Sequence, residues 1–158
     1  DRQGHRLEPA ALTQVIALGR QLNPALRLKI NTVVNALNLS DDLSSVIRST
    51  SPDKWKILRV LPVISNELAV TDREFSAFLD RHQSLRAIIS AEDNRDMVES
   101  YIMIDPQGRF FQNTQSGRGY RYSAPINEVG TDTAFRQVRW QVAKFLSRYT
   151  GDFERIAA

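Results

Sequence analysis

The chain has 158 residues, 42% of them hydrophobic and 25% charged, and its 21 Lys and Arg against 18 Asp and Glu give a net charge of +3. That length suits one globular domain, and the mild basic excess falls short of the concentrated patch that marks a nucleic-acid binder. Cysteine is absent, which excludes disulfides, zinc ribbons, thiolate nucleophiles and a thiolate-held iron–sulfur cluster within these residues.

No apolar run reaches the roughly 18–20 residues of a membrane span. The polar start DRQGHRLEP carries no signal-peptide core. The expectation is a soluble cytoplasmic domain with no membrane partner.

In chain order, residues 9–22 predict a helix, with Pro9 in the first turn and Leu12, Val15, Ile16 and Leu22 as one apolar stripe. Residues 26–34 (LRLKINTVV) predict a strand. Ser40 is placed to cap a short helix, with Asp41 and Asp42 at its positive end and Leu43, Val46 and Ile47 inward. Residues 55–61 predict a second strand, and 62–70 are irregular. Thr71 to His82 is the best-marked helix: Thr71 and Glu74 form a capping box, and Phe75, Phe78, Leu79 and His82 share a face.

Residues 86–89 predict a short strand. Residues 100–105 and 108–113 predict hairpin arms joined through Pro106-Gln107-Gly108. On the first arm Tyr101, Met103 and Asp105 are expected on one face, with Ile102 and Ile104 buried on the other. SGRGYRY (116–122) is a turn into a third arm. Residues 132–149 predict a terminal helix, with Phe135, Val138, Val142, Phe145, Leu146 and Tyr149 inward and Arg136, Arg139, Lys144 and Arg148 on the solvated side. Helix and strand alternate through the first half, which favours parallel βα units.

The strand 26–34 is the informative place. Its side chains alternate, so Leu26, Leu28 and Ile30 fall on one face and Arg27, Lys29 and Asn31 on the other. The second strand sets Lys56 opposite Trp55 and Ile57. Two lysines and an amide on neighbouring strands make an anion pocket suited to a polyphosphate; the same pattern also describes an edge sheet with one solvated face. Ser116 to Arg121 is either a phosphate cradle or a glycine-rich turn. His5 and His82 have no neighbour at metal-ligand spacing, and His82 continues the Phe75–Leu79 stripe. Asp41-Asp42 and Glu92-Asp93 suit helix starts rather than a catalytic pair. No nucleophile elbow and no Ser-His-Asp set is present.

Residues 26–63, LRLKINTVVNALNLSDDLSSVIRSTSPDKWKILRVLPV, resemble the central signature of viperins, roughly K-[IL]-N-[ST]-V-[IV]-N/C, a loop with an Asp, then P-x-[RK]-W-K. Lys29, Asn31, Thr32, Asn35, Asp42, Pro52, Lys54, Trp55 and Lys56 match it. TDREFSAFLDRH (71–82), ESYIMIDPQGRFFQN (99–113) and INEVG (126–130) are similar to further family text. Viperins are radical S-adenosylmethionine enzymes that dehydrate nucleotides.

The resemblance implies an α/β fold: the C-terminal half of a partial (βα)6 radical-SAM barrel over residues 1–63, and an α+β C-terminal extension with a hairpin and closing helix over 64–158. It implies a 4Fe–4S cluster and S-adenosylmethionine in the full-length protein. A 5′-deoxyadenosyl radical then converts a nucleoside triphosphate to its 3′-deoxy-3′,4′-didehydro form, which ends viral RNA synthesis. It implies nucleotide contacts from Lys29, Asn31 and Lys56, with Tyr101 near the substrate. Arg118 and Arg121 lie near the family's second basic loop, which is two residues longer here. The cluster motif C-x-x-x-C-x-x-C is absent, so the missing N-terminal half of the barrel is an expected partner and the chain alone is expected to be inactive. SRYTGDF (147–153) stands where the family has a terminal R-G-G-K-Y-like loop. The other reading is a cluster-free module that binds nucleotides or a protein. No direct nucleic-acid binding is expected.

Overall fold

The computed structural model of the chain describes residues 8–62, 65–113 and 119–147. They form two compact units. One gathers the residues up to Leu58 together with Val70–Ala91; the other gathers Arg59–Ala69 and the residues from Glu92 onward.

In the first unit, helix and strand alternate as α1 (Pro9–Leu22), β1 (Lys29–Val34), α2 (Ser44–Thr50), β2 (Lys54–Arg59), α3 (Asp72–Arg81) and β3 (Ile89–Glu92). The sheet order is β1-β2-β3. The N–H groups of Asp53 and Lys54 donate to the Leu28 carbonyl, and that of Trp55 donates to the Ile88 carbonyl. These bonds join the beginnings of all three strands, so the strands run parallel, with α2 and α3 in the crossovers. β3 completes the sheet three residues later than the predicted 86–89, because Arg86, Ile88 and Ile89 donate back into the turn that follows α3.

One face of this sheet holds the core. Val34, Trp55, Ile57 and Phe78 are fully buried, each burial contributing about 1.5–3 kcal/mol. The Trp55 indole N–H donates to the Thr32 hydroxyl at 2.9 Å, which satisfies its one polar atom. The capping box of α3 forms as predicted: the Glu74 N–H donates to the Thr71 hydroxyl at 3.2 Å and the Thr71 N–H to the Glu74 carboxylate at 2.8 Å. Ser40 does not cap α2. Its start is held by the Asp42 carboxylate, which accepts the Ser44 N–H at 2.9 Å, and by His82. Its end is held by the Arg20 guanidinium, which donates to the carbonyls of Thr50 and Ser51. The predicted α1 stripe is buried only at Ile16. Val15 and Leu22 are exposed, as is Leu18 between them.

The second unit carries α4 (Asn94–Met97), β4 (Met103–Ile104), β5 (Arg109–Asn113), β6 (Tyr120–Pro125), α5 (Ile126–Val129), α6 (Thr131–Phe135) and α7 (Val142–Ser147). β4, β5 and β6 form an antiparallel sheet in that order. Asp105 builds the first turn. Its carboxylate accepts the N–H groups of Gln107 and Arg109 and pairs with the Arg109 guanidinium at 2.7 Å, while Gly108 takes φ +70°. Burial works against its ionisation, but the bonds and charge of Arg109 outweigh it and hold this carboxyl below the usual aspartate range. The β5–β6 register shifts between Arg109 and Phe111, with the extra residue on β6. There the Ser123 hydroxyl accepts the Phe110 N–H at 2.9 Å in place of a ladder carbonyl.

Phe110, Ala134 and Val138 form this unit's core, with Ile102, Ile126 and Val129 packed against them. Ile104 departs from expectation. It is exposed, because β4 is a two-residue strand at the sheet edge.

The predicted helix 132–149 is broken: α6 ends at Phe135 and α7 begins at Val142. Buried Gln112 takes residue 139 out of any helix, its amide donating to the Arg139 carbonyl while its oxygen accepts the Arg139 N–H. Lys144 is not on a solvated face either. Its ammonium donates to the Val98 carbonyl at 2.8 Å.

Candidate functional site

β1 alternates exposed and half-buried residues down to Val34, and β2 alternates half-buried Lys54 and Lys56 with buried Trp55 and Ile57. The Trp55–Thr32 bond fixes which faces match. Ile30, Thr32 and Val34 share the packed face with Trp55 and Ile57. Lys29 and Asn31 therefore share the opposite face with Lys54 and Lys56. The Leu28–Lys54 bond sets Lys54 level with Lys29, and so Lys56 level with Asn31. Both β1 residues are exposed.

The strand start is braced beside this face. The Asp53 carboxylate accepts the Leu28 N–H at 2.8 Å and the Arg27 guanidinium at 3.1 Å. Those two bonds, the backbone one first, hold the Asp53 carboxyl below its ordinary value. Three ammonium groups and a carboxamide on one sheet face can take up an anion through charge-assisted hydrogen bonds. Lys54 is the addition that period-two alternation could have supplied, two residues before Lys56.

Tyr101 belongs to the second unit. It is half-buried and lines an open pocket of about 190 Å³ with Ile102, Phe135, Trp140 and Phe145. Arg121 is exposed on β6, in register with Gln112. Arg118 lies outside the described residues. Trp140 had no signal in the sequence, because its place depends on a break in what reads as continuous helix.

The acidic clusters serve structure. Asp93 caps α4, accepting the N–H groups of Arg95 and Asp96 at 2.7 and 3.0 Å, and Asp42 holds the start of α2. Among the described residues no three His, Cys, Asp or Glu side chains are grouped to hold a metal ion. With no cysteine in the chain, a thiolate-held cluster does not fit these residues.

No family model matches the chain. It is 49% identical over 143 residues to the S-adenosylmethionine-dependent nucleotide dehydratase of Psychrobacter lutiphocae, an overlap of 90% of this chain and 48% of that protein. The protein of the same name from Pseudoalteromonas ulvae is 43% identical, over 94% of this chain and 48% of its own length. That of Flammeovirga pacifica is 41% identical, over 77% and 43%. The chain's homologues are named S-adenosylmethionine-dependent nucleotide dehydratases. The chain spans about half the length of the curated relatives it matches. The names of these relatives give S-adenosylmethionine and a nucleotide. Among the described residues no helix is long and apolar enough to cross a membrane.

Proposed function

We propose that the chain is the nucleotide-binding, C-terminal half of a radical S-adenosylmethionine nucleotide dehydratase. One observation carries the reading: Lys29, Asn31, Lys54 and Lys56 share one face of a parallel sheet whose other face is packed. Ammonium groups and a carboxamide arranged on one face suit charge-assisted hydrogen bonds to a polyphosphate. Lys29, Lys56 and Asn31 contact the phosphates and ribose of a nucleoside triphosphate, with Lys54 contributing charge. On the family resemblance alone, Tyr101 is proposed near the substrate and Arg118 and Arg121 as nucleotide-binding residues.

Two features support a missing half. Among the described residues the outer edge of β1 carries no strand, and the apolar residues Val15, Leu18 and Leu22 of α1 are uncovered. A further set of βα units would close the sheet toward a partial barrel and bring the cysteines for a 4Fe–4S cluster and the site for S-adenosylmethionine. The product is the 3′-deoxy-3′,4′-didehydro nucleotide, and the setting is cytoplasmic antiviral defence.

The test has two arms. Calorimetry of the full chain with a nucleoside triphosphate and with inorganic tripolyphosphate should give binding for both, lost as Lys29 and Lys56 are replaced. Binding of neither overturns the nucleotide-binding role. A second reading is a cluster-free nucleotide-binding module. Reductive cleavage of S-adenosylmethionine by the complete gene product supports the enzyme, and nucleotide binding without that cleavage supports the module.

A further inference from the structure

Trp140 stands between two residues held from either side by buried polar side chains. On one side the Gln112 carboxamide exchanges both of its hydrogen bonds with the backbone of Arg139. On the other, the Glu99 carbonyl accepts the Gln141 N–H at 3.0 Å and the Glu99 carboxylate accepts the Gln141 amide at 2.6 Å. Gln112 is 1% exposed and Glu99 7%. Glu99 also takes φ +58°, a left-handed conformation that costs a residue with a Cβ about 1–3 kcal/mol and persists only where its surroundings impose it. The imposing contacts are visible. The Ser100 hydroxyl donates back to the Asp96 carbonyl at 2.7 Å, and Lys144 donates to the Val98 carbonyl. The result is a fixed stretch, 139–141, within the break between α6 and α7, in which Trp140 becomes a wall of the Tyr101 pocket.

That pocket has the size and lining of a ring site. A cavity of roughly 150 Å³ lined by apolar side chains accepts benzene, and this one holds about 190 Å³. Four of its five lining residues are aromatic. Trp140 meets Phe135 and Phe145 edge to face, with centroids 5.9 and 5.5 Å apart. Rings held upright in this way leave faces and edges for a further planar ring, and nucleobases stack on such side chains regardless of sequence.

We propose that the Tyr101 pocket is a subsite for a heteroaromatic ring of the nucleobase class, and that Glu99 and Gln112 are positioning residues that hold Trp140 as its wall. The proposal rests on the nucleotide-binding reading but is tested with an uncharged nucleoside, which makes no demand on the lysine face.

The experiment is a nucleoside titration of the full chain followed by ¹⁵N NMR. The chain has two tryptophans, and the Trp55 indole N–H, bonded to Thr32, is the internal control. Nucleoside should shift the Trp140 indole N–H and leave that of Trp55 in place, and inorganic tripolyphosphate should shift neither. Trp140→Ala should weaken nucleoside binding about tenfold or more, on the scale of one base stack. That residue is 37% exposed, so its truncation leaves the fold in place. Glu99→Gly keeps the left-handed turn and the backbone bond to Gln141 but loses the carboxylate. It should weaken nucleoside binding by a similar factor, and Glu99→Gln, which keeps an acceptor oxygen, should restore it. Gln112→Leu should act as Glu99→Gly does. Nucleoside that moves no pocket resonance overturns the ring site. Folded Glu99→Gly and Gln112→Leu variants that bind nucleoside like the parent overturn the positioning roles. Either result with tripolyphosphate binding intact leaves the lysine-face reading standing, which separates the two failures.

Discussion

The backbone N–H of Leu43 donates to Nε2 of His82 at 2.9 Å, across 39 residues of chain. A backbone N–H can only donate, so this ring nitrogen presents its lone pair. The proton then sits on Nδ1, which donates to the Phe78 carbonyl at 2.8 Å. The ring is fully buried, edge-on to Trp55 at 5.0 Å and tilted on Phe78 at 4.5 Å. His82 therefore ties the end of α3 to the start of α2 beneath the parallel sheet.

His82→Ala should be among the most destabilising single changes in the first unit. It opens a cavity and strips the buried bonds to Leu43 and Phe78, a combined loss of about 3–5 kcal/mol. Denaturant unfolding of the full chain, with an unchanged slope, measures it. A loss below about 1 kcal/mol would show that the ring is filler rather than a tie.

Acid should loosen the strand start next to the lysine face. Asp53 has its carboxyl lowered by the Leu28 N–H and then by Arg27. A carboxylate with a lower pKa in the folded than in the unfolded chain contributes stability that is complete above the ordinary value of about 3.9. That contribution disappears as pH falls through the lowered value. Unfolding free energies measured from pH 6 down to 2.5 should therefore fall less steeply below pH 4 for Asp53→Asn than for the parent. Parallel curves would remove Asp53 from the acid response.

In the full-length enzyme, Lys29→Ala and Lys56→Ala should each weaken nucleoside triphosphate binding about ten- to a hundredfold. A charge-assisted bond contributes about 1.5–3 kcal/mol, and 1.4 kcal/mol is one decade. Reductive cleavage of S-adenosylmethionine without nucleotide should change far less. Calorimetry beside the parent decides it, and unchanged affinity in both folded variants rules out the phosphate contacts.

Thr71→Ala should cost about 1 kcal/mol, since the hydroxyl satisfies an otherwise unpaired N–H in the first turn of α3. Thr71→Ser should recover most of that in the same unfolding assay. Equal stability of Thr71→Ala and the parent would mean that the cap seen here adds nothing in solution.

Local chemistry was readable in the sequence, and distant contacts were not. Thr71 and Glu74 announce α3 because both partners of the cap lie within four residues. The lysine face was readable because alternation is a property of the strand itself. The break between α6 and α7 was hidden because the residues that hold 139 and 141 in it, Gln112 and Glu99, lie 27 and 42 residues away and carry no helix-breaking signal. Val15, Leu22 and Ile104 were expected inward on pattern alone. A pattern shows that a face is apolar but not what covers it.

Arg139 and Gln141 lie outside every helix and strand, yet both of their amides donate to buried acceptors. Their hydrogens should consequently trade with deuterium slowly, at rates more typical of a strand interior than of a connecting loop. Exchange at Arg139 opens only when the Gln112 side chain lets go, and exchange at Gln141 only when the Glu99 carbonyl does, so the two amides report the lifetimes of two long-range tethers, one to a side chain and one to the backbone.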